Sequence, residues 1–101
     1  MGMANLQRMA MQMQQAILEI EKELTATKVD GSAGGGVVKA TVTGKRELIT
    51  VTIDPSAVDP ADVEMLQDLI VAAVNDALRT AGELEKTKMA AVTGGMRLPG
   101  M

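Results

Sequence analysis

The side chains of this 101-residue chain that could most readily do chemistry are basic ones on elements predicted to project into solvent. Lys45 and Arg46 follow a glycine between two runs of alternating polar and apolar residues, which places them at the tip of a predicted hairpin. Lys39 lies on the polar face of the adjoining strand. Cations on exposed, projecting elements can contact phosphates. The alternative is a charged edge that discourages strand pairing between molecules.

Two further groups of basic residues lie on the predicted helices and in the C-terminal tail. Arg8 and Lys22 fall about 40° apart on the outward face of the first helix. They could contact phosphates, or form ion pairs on a solvated face with the glutamates beside Lys22. Lys86, Lys88 and Arg97 lie at the end of the second helix and in the tail, where cations also complement the helix dipole without any ligand.

Several other kinds of chemistry are excluded or disfavoured by the residues present. Cys and His are absent, which excludes structural zinc sites, thiol chemistry and acid–base catalysis by histidine. Gly34-Gly35-Gly36 could form a phosphate nest, but a strand rather than a helix follows, so a tight turn is favoured.

Two patterns suggest a metal site but lack its geometry. Met9, Met11 and Met13 have a spacing that suits copper(I), yet on a helix Met11 points nearly opposite the other two. The aspartates within residues 54–62 lack the alternate-position acids and the glycine of an EF-hand. We therefore expect no metal, no cofactor, no small-molecule substrate and no enzymatic activity.

The elements that must position these residues are a helix, three strands and a second helix. Residues 4–27 carry an apolar stripe of about 120° with helical spacing, and residues 28–33 fit a short strand. Two alternating strands follow, Val37–Thr43 and Glu47–Ile53, joined by a hairpin loop of two or four residues. Their apolar residues share one face, although the register stays open. That face comprises Val38, Ala40, Val42, Ile49, Val51 and Ile53.

The second helix is predicted from Pro60 to about Met89, with Asp59 as its N-cap. Its apolar residues fill an arc of about 200°, whereas a surface helix needs only about 100°. A small chain without Phe, Trp or Tyr has little else to cover the excess. A second copy of the chain is therefore the predicted partner. The candidate dimer-interface residues are Leu66, Leu69, Ile70, Ala73, Val74, Ala77 and Leu78. Residues 1–92 then form one dimerising domain, and residues 93–101 a flexible tail.

Charge and hydropathy set further bounds. Ten basic and thirteen acidic residues give a net charge of −3, which argues mildly against a polyanionic partner. No signal peptide is visible at the N-terminus. The apolar segment Leu69–Val74 is far shorter than the roughly 20 residues of a membrane span. We expect a soluble intracellular protein without a membrane partner.

A series of short segments follows one another in a specific order along nearly the whole chain. They are a Met- and Gln-rich first helix, Val29–Lys39, Gly44-Lys45, Ile53-Asp54-Pro55, Val58-Asp59-Pro60, Asp62–Leu66, Asp68–Leu78 and Thr93-Gly94-Gly95. No single segment is diagnostic. Together, and at this length, they resemble the YbaB/EbfC family of bacterial nucleoid-associated proteins.

That resemblance implies an α+β fold, with α-β-β-β-α subunits, a three-stranded antiparallel sheet and a tweezer-like homodimer whose first helices project. It also implies DNA binding, a location in the cytoplasm at the nucleoid, and a role in chromosome organisation or gene regulation. Because aromatic stacking platforms are absent, double-stranded DNA is favoured over single strands.

The DNA-binding candidates are chosen from charge alone. They are Arg8, Lys22, Lys39, Lys45, Arg46, Lys86 and Lys88. The alternative function is a dimeric adaptor that grips a partner helix between its Met-rich first helices. Met11 and Leu18, which lie off the main apolar stripe, favour that alternative.

Overall fold

A computed structural model describes residues 2–93 as two helices and a three-stranded sheet. The elements follow the order helix, three strands, helix, which confirms the predicted α+β fold. They are α1 Met3–Ala26, β1 Lys28–Ala33, β2 Val38–Thr43, β3 Leu48–Ile53 and α2 Val63–Thr93, with 3₁₀ turns at Gly34–Gly36 and Pro55–Ala57. Residues 94–101 of the predicted tail, Arg97 among them, lie outside the described residues.

The sheet is antiparallel in the order β1-β2-β3 and has one apolar face. Val38 lies opposite Ile53, and Val42 lies opposite Leu48, so apolar residues of both strands share that face. Between these pairs β3 contains a bulge, which leaves Ile49 out of the pairing. The bulge settles the register that the sequence leaves open, because it adds one residue to β3 relative to β2 at that point.

The three glycines between β1 and β2 form the predicted tight turn. Gly34, Gly35 and Gly36 have φ values of 64°, 73° and 96°. Three successive left-handed residues would be strained with any side chain, and glycine adopts this conformation without a steric cost.

Helix α2 crosses β1 and β2 on the apolar face and packs through a stripe of alanines. Ala73, Ala77 and Ala81 follow one another at one-turn intervals and are 0% exposed. The helix can approach this closely because Gly31 of β1 has no side chain; a Cβ there would lie 2.2 Å from the backbone nitrogen of Ala77. Ala73 and Ala77 therefore belong to the chain's own core and present no surface to a second copy, contrary to their prediction as dimer-interface residues.

The other five candidates for the dimer interface are half-buried on α2. Leu66, Leu69, Ile70, Val74 and Leu78 each pack against the core and keep part of their surface exposed. The helix is fastened to the outer edge of β1, where the Ser32 backbone N–H donates a hydrogen bond to Asp76 Oδ2 (3.0 Å). Because α2 lies over β1 and β2, it barely touches β3.

An apolar surface consequently stays open between α2 and β3. On β3, Leu48 and Ile49 are each 48% exposed. At about 100° per residue, Val71, Val74 and Leu78 lie on the flank of α2 opposite Asp76, towards β3; Val71 is 58% exposed. We call these residues of β3 and α2 the α2–β3 surface.

The start of α2 differs from the prediction. The Asp59 side chain accepts a hydrogen bond from the Ala61 N–H (2.9 Å) within a turn, and the helix begins only at Val63. The Asp62 side chain accepts from the Met65 N–H (3.2 Å), which is the geometry of an N-cap. Both aspartates thus satisfy backbone donors, but Asp62 rather than Asp59 caps the helix.

Helix α1 is anchored at its C-terminal end and projects as an arm. Leu24 is its one fully buried residue among those described, and the Gly44 N–H donates to the Leu24 carbonyl oxygen (2.9 Å). At the far end Met3 and Leu6 are 76% and 67% exposed. The chain measures 71 × 29 × 16 Å and has a radius of gyration of 19.6 Å, against about 13 Å for a globular chain of this length.

Candidate nucleic-acid interface

Lys45 and Arg46 lie in the loop Gly44–Glu47, the four-residue alternative of the predicted hairpin. Thr43 fixes this loop: its hydroxyl oxygen accepts from the N–H groups of Lys45 (3.2 Å) and Glu47 (3.1 Å), and its carbonyl oxygen accepts from the Arg46 N–H (2.8 Å). Arg46 has φ 67°, a left-handed conformation that costs a side-chain-bearing residue about 1–2 kcal/mol. The tip therefore holds two cations on a defined backbone.

Both tip cations are paired with carboxylates of the two helices. Glu85 of α2 places Oε1 3.1 Å from Arg46 Nη2 and Oε2 3.5 Å from Lys45 Nζ. Glu21 of α1 places Oε1 3.8 Å from Lys45 Nζ. We call these four residues the junction, because they join the hairpin tip to both helices. Their side chains keep 20–53% of their surface exposed, so each pair is worth only about 0–1 kcal/mol.

Three more of the predicted cations lie near the junction or beyond it on α2. Lys22 and Lys45 line the same shallow depression on α1. Lys88 Nζ lies 3.5 Å from Glu23 Oε2 and so pairs α2 with α1. Lys22 and Lys86 are exposed and have no ion pair within residues 2–93. Both are therefore available to an anionic ligand.

Two predicted cations lie away from the junction. Arg8 precedes Lys22 by 14 residues, about 21 Å along the arm. Lys39 lies on the outer face of the sheet, four residues before the end of β2 at Thr43, about 13 Å. Its side chain approaches the glycine turn instead: Lys39 Cε is 3.9 Å from the position of a Cβ on Gly36.

Lys28 was missed by the sequence reasoning. The register of β1 sets it opposite Thr43, the last residue before the tip loop, and its side chain is exposed. No motif surrounds Lys28, and the sequence alone does not place it beside the hairpin tip. That position follows only from the pairing of β1 with β2. It adds a cation beside the junction.

Charge is strongly segregated along the chain, a signal that was already available in the sequence. The segment 47–78 has no Lys or Arg but contains seven of the thirteen acidic residues, Glu47, Asp54, Asp59, Asp62, Glu64, Asp68 and Asp76. The rest of the chain has ten basic and six acidic residues, a net +4. This segment comprises Glu47 of the tip loop, β3, the turn after it and the first half of α2. Asp54, Asp59, Asp62 and Glu64 lie at one end of the folded domain (the acidic end), and the junction lies at the opposite end of the sheet.

Asp54 helps to shape the acidic end. Its Oδ1 accepts a hydrogen bond from the Ser56 N–H (2.9 Å) at the start of the turn Pro55–Ala57. Hydrogen bonds from the Ser56 backbone and side chain lower the pKa of Asp54, against a small opposing effect of desolvation.

Two other kinds of site are absent within residues 2–93. Neither described helix is both long and apolar enough to span a bilayer. Within the same range, three or more acidic side chains nowhere come together as ligands for a metal ion.

Comparison with known proteins agrees with this architecture. A nucleoid-associated protein of Moorella thermoacetica is 52% identical over 99% of each chain. Nucleoid-associated protein TTE0040 of Caldanaerobacter subterraneus is 46% identical over 96% of this chain and 87% of its own. The crystal structure of the uncharacterized protein HP0035 from Helicobacter pylori aligns with a TM-score of 0.75 at 26% sequence identity. The alignment covers 86% of this chain and 91% of the HP0035 chain. The sequence profile of the YbaB/EbfC DNA-binding family matches residues 1–96, and the chain therefore belongs to that family.

Proposed function

We propose that this protein binds double-stranded DNA as a homodimer at the bacterial nucleoid, where it acts in chromosome organisation or gene regulation. The observation that carries the proposal is the segregation of charge. Six cations, Lys22, Lys28, Lys45, Arg46, Lys86 and Lys88, lie towards one end of the subunit, at or beyond the junction. Glu19, Glu21, Glu23, Glu47, Glu83 and Glu85 are interspersed with them, and segment 47–78 supplies no cation at the other end. Phosphate contacts require clustered, exposed cations. Family membership and the names of the relatives support the same conclusion.

The second copy covers the α2–β3 surface in this proposal. Leu48, Ile49 and Val71 are apolar side chains with about half of their surface in water. The buried core is made mostly of Ala and Val, which bury little area each, so a single subunit is marginally stable. A two-fold dimer that buries this surface also contains two junctions, one from each copy, which doubles the phosphate contacts on one duplex.

The test compares matched pairs of charge-removing substitutions. Lys45→Ala combined with Arg46→Ala removes two cations from the junction, and Lys39→Ala combined with Arg79→Ala removes two from elsewhere. Duplex binding is measured by sedimentation over a series of salt concentrations. We expect the junction variant to bind at least about tenfold more weakly, with the slope of log K against log [salt] reduced by up to about two. The control variant should change much less.

Equal losses for both variants would contradict the assignment of the junction as the contact site. Binding that does not depend on salt would contradict the phosphate mechanism itself. Sedimentation without DNA reports the oligomeric state in the same experiment, and a compact 10.6 kDa species at low concentration would argue against the homodimer.

A second candidate function is favoured by the exposed apolar side chains of the α1 arm. Met3, Leu6, Met9, Met11 and Leu18 are 52–76% exposed. Flexible methionine-rich surfaces suit amphipathic partner helices. For an adaptor of this kind, the junction variant should keep its protein partner in a pull-down and lose only DNA, whereas Leu6→Gln with Met9→Gln should lose the partner and keep DNA.

A further inference from the structure

Glu85 is the one carboxylate among residues 2–93 that contacts both cations of the hairpin tip. Its two oxygens are divided between them, Oε1 with Arg46 Nη2 at 3.1 Å and Oε2 with Lys45 Nζ at 3.5 Å. The Glu85 side chain is 20% exposed, so it lies deeper than either cation (53% and 38%). The charges of both tip cations are thus neutralised by a carboxylate of α2 that is less exposed than they are.

Arg46 is held down along α2 rather than extended into solvent. Its Nη1 is 3.9 Å from the position that a Cβ on Gly82 would occupy, about one helical turn before Glu85. That is an ordinary van der Waals distance, so the guanidinium group lies directly on the surface of the helix at Gly82. Arg46 has this side-chain position together with a left-handed backbone conformation (φ 67°).

A carboxylate that divides two oxygens between an arginine and a lysine reproduces the way in which cations bind the two non-bridging oxygens of a phosphodiester. We propose that Glu85 occupies the place of a DNA backbone phosphate at the junction, and that a duplex binds by displacing this carboxylate from Lys45 and Arg46. This inference rests on the proposed function. Glu85 is then a built-in competitor that weakens DNA binding.

The exchange is inexpensive because the pairs are exposed. Each such ion pair is worth a factor of about one to five in an equilibrium constant, and Glu21, at 3.8 Å, adds a weaker hold on Lys45 alone. Thr43 keeps the loop backbone fixed by four hydrogen bonds, three that its oxygens accept and one that its N–H donates to the Glu47 carbonyl oxygen (2.8 Å). Only the two long side chains must therefore reorient, from the helix towards a phosphate outside the tip.

The experiment compares Glu85→Gln with Glu83→Gln in the full chain, using a fluorescent duplex of about 20 base pairs, about 68 Å long at about 3.4 Å per base pair. Both variants change the net charge by the same amount on the same turn of α2, but Glu83 has no ion pair within residues 2–93. We expect Glu85→Gln to bind the duplex about three- to tenfold more tightly, and Glu83→Gln to stay within about twofold of wild type. Glu21→Gln, which frees Lys45 only, should give a smaller gain than Glu85→Gln.

A double-mutant cycle assigns the gain to the tip. In a protein that already carries Lys45→Ala and Arg46→Ala, Glu85→Gln should gain no more than Glu83→Gln does. A chain that binds duplex but responds equally to the two glutamine substitutions overturns the role of Glu85 and leaves the proposed function standing. A wild-type chain that binds no duplex overturns both. Thermal melts of each variant, and the NMR shift of the Arg46 Nε–H in the absence of DNA, verify that the fold is kept and the ion pair released.

Discussion

Replacing Gly31 with alanine tests the contact that positions α2 on the sheet. The added Cβ would lie 2.2 Å from the Ala77 nitrogen, 2.6 Å from the Ala73 carbonyl oxygen and 2.8 Å from the Ala77 Cα. All three are backbone atoms of a helix, so no side chain can rotate away. Gly31 is buried and its φ is not among the positive values, so the effect reports lack of space rather than backbone strain.

The size of the effect follows from how far α2 must move. To bring the closest contact from 2.2 Å to an ordinary 3.4 Å, the helix must withdraw by about 1.2 Å. A gap of 0.5–1 Å already forfeits about a quarter to a half of the dispersion attraction between packed atoms, and the whole alanine stripe would lose contact. We therefore expect a loss of about 3 kcal/mol in the free energy of unfolding, the upper part of the range for overpacked cores. That corresponds to a fall in melting temperature of about 12–24 °C.

Far-UV circular dichroism during heating, at one fixed protein concentration, measures this loss. Gly2→Ala is the matched control, because a Cβ there meets nothing within 4 Å, and it should melt within about 2 °C of wild type. Gly35→Ala should lose about 1–2 kcal/mol from its φ of 73°. A Gly31→Ala protein that melts within about 4 °C of wild type would refute the close approach of α2 to β1.

Two further predictions concern the proposed interface and the acidic end. Val71→Lys places a charge on the α2–β3 surface, so it should raise the dimer dissociation constant at least about tenfold and lower the melting temperature. The control Ala72→Lys, on an exposed side of α2, should do neither. A wild-type melting temperature that does not rise with protein concentration would contradict the coupling of folding to dimerisation. Asp54→Ala should melt below wild type at pH 7 but not at strongly acidic pH. The folded state holds the Asp54 pKa below its usual 3.8, so the unfolded chain binds more protons between the two pKa values. The stabilisation of the folded state by the Asp54 carboxylate is therefore complete above about pH 4 and is lost as the pH falls through the lowered pKa. A difference in melting temperature that persists unchanged at about pH 2 would contradict this assignment.

The elements themselves were predictable because each has a local signal. The helical spacing of apolar residues in α1 and the alternation in β2 depend only on neighbours in sequence. Boundaries were less certain where two signals of the same kind compete. Asp59 and Asp62 both accept backbone hydrogen bonds, and nothing local decides which of them begins the helix.

Features that depend on contacts between distant segments could not be predicted in this way. The sequence leaves the register of the hairpin open, so it predicts neither the bulge at Ile49 nor the exposure of that end of β3. Lys45 and Arg46 were identified as surface cations, but Glu85 lies some forty residues away in sequence. Their pairing depends on where α2 crosses the sheet, which the contact between Gly31 and Ala77 sets.

The excess of acidic residues at first argues against a polyanionic partner, but distance within the subunit limits that argument. Glu64 at the acidic end and Glu85 at the junction are 21 residues apart on α2, about 32 Å. The Debye length is about 8 Å at physiological ionic strength, so a phosphate at the junction is screened from the acidic end. At about 0.01 M salt the Debye length grows to about 30 Å, and the repulsion then reaches the DNA. We therefore expect log K against log [salt] to be linear at physiological salt and to flatten near 0.01 M, and Asp62→Asn with Glu64→Gln to reduce the flattening. A plot that stays linear throughout, or a double variant that binds more tightly at physiological salt, would mean that the acidic end lies close to the bound duplex.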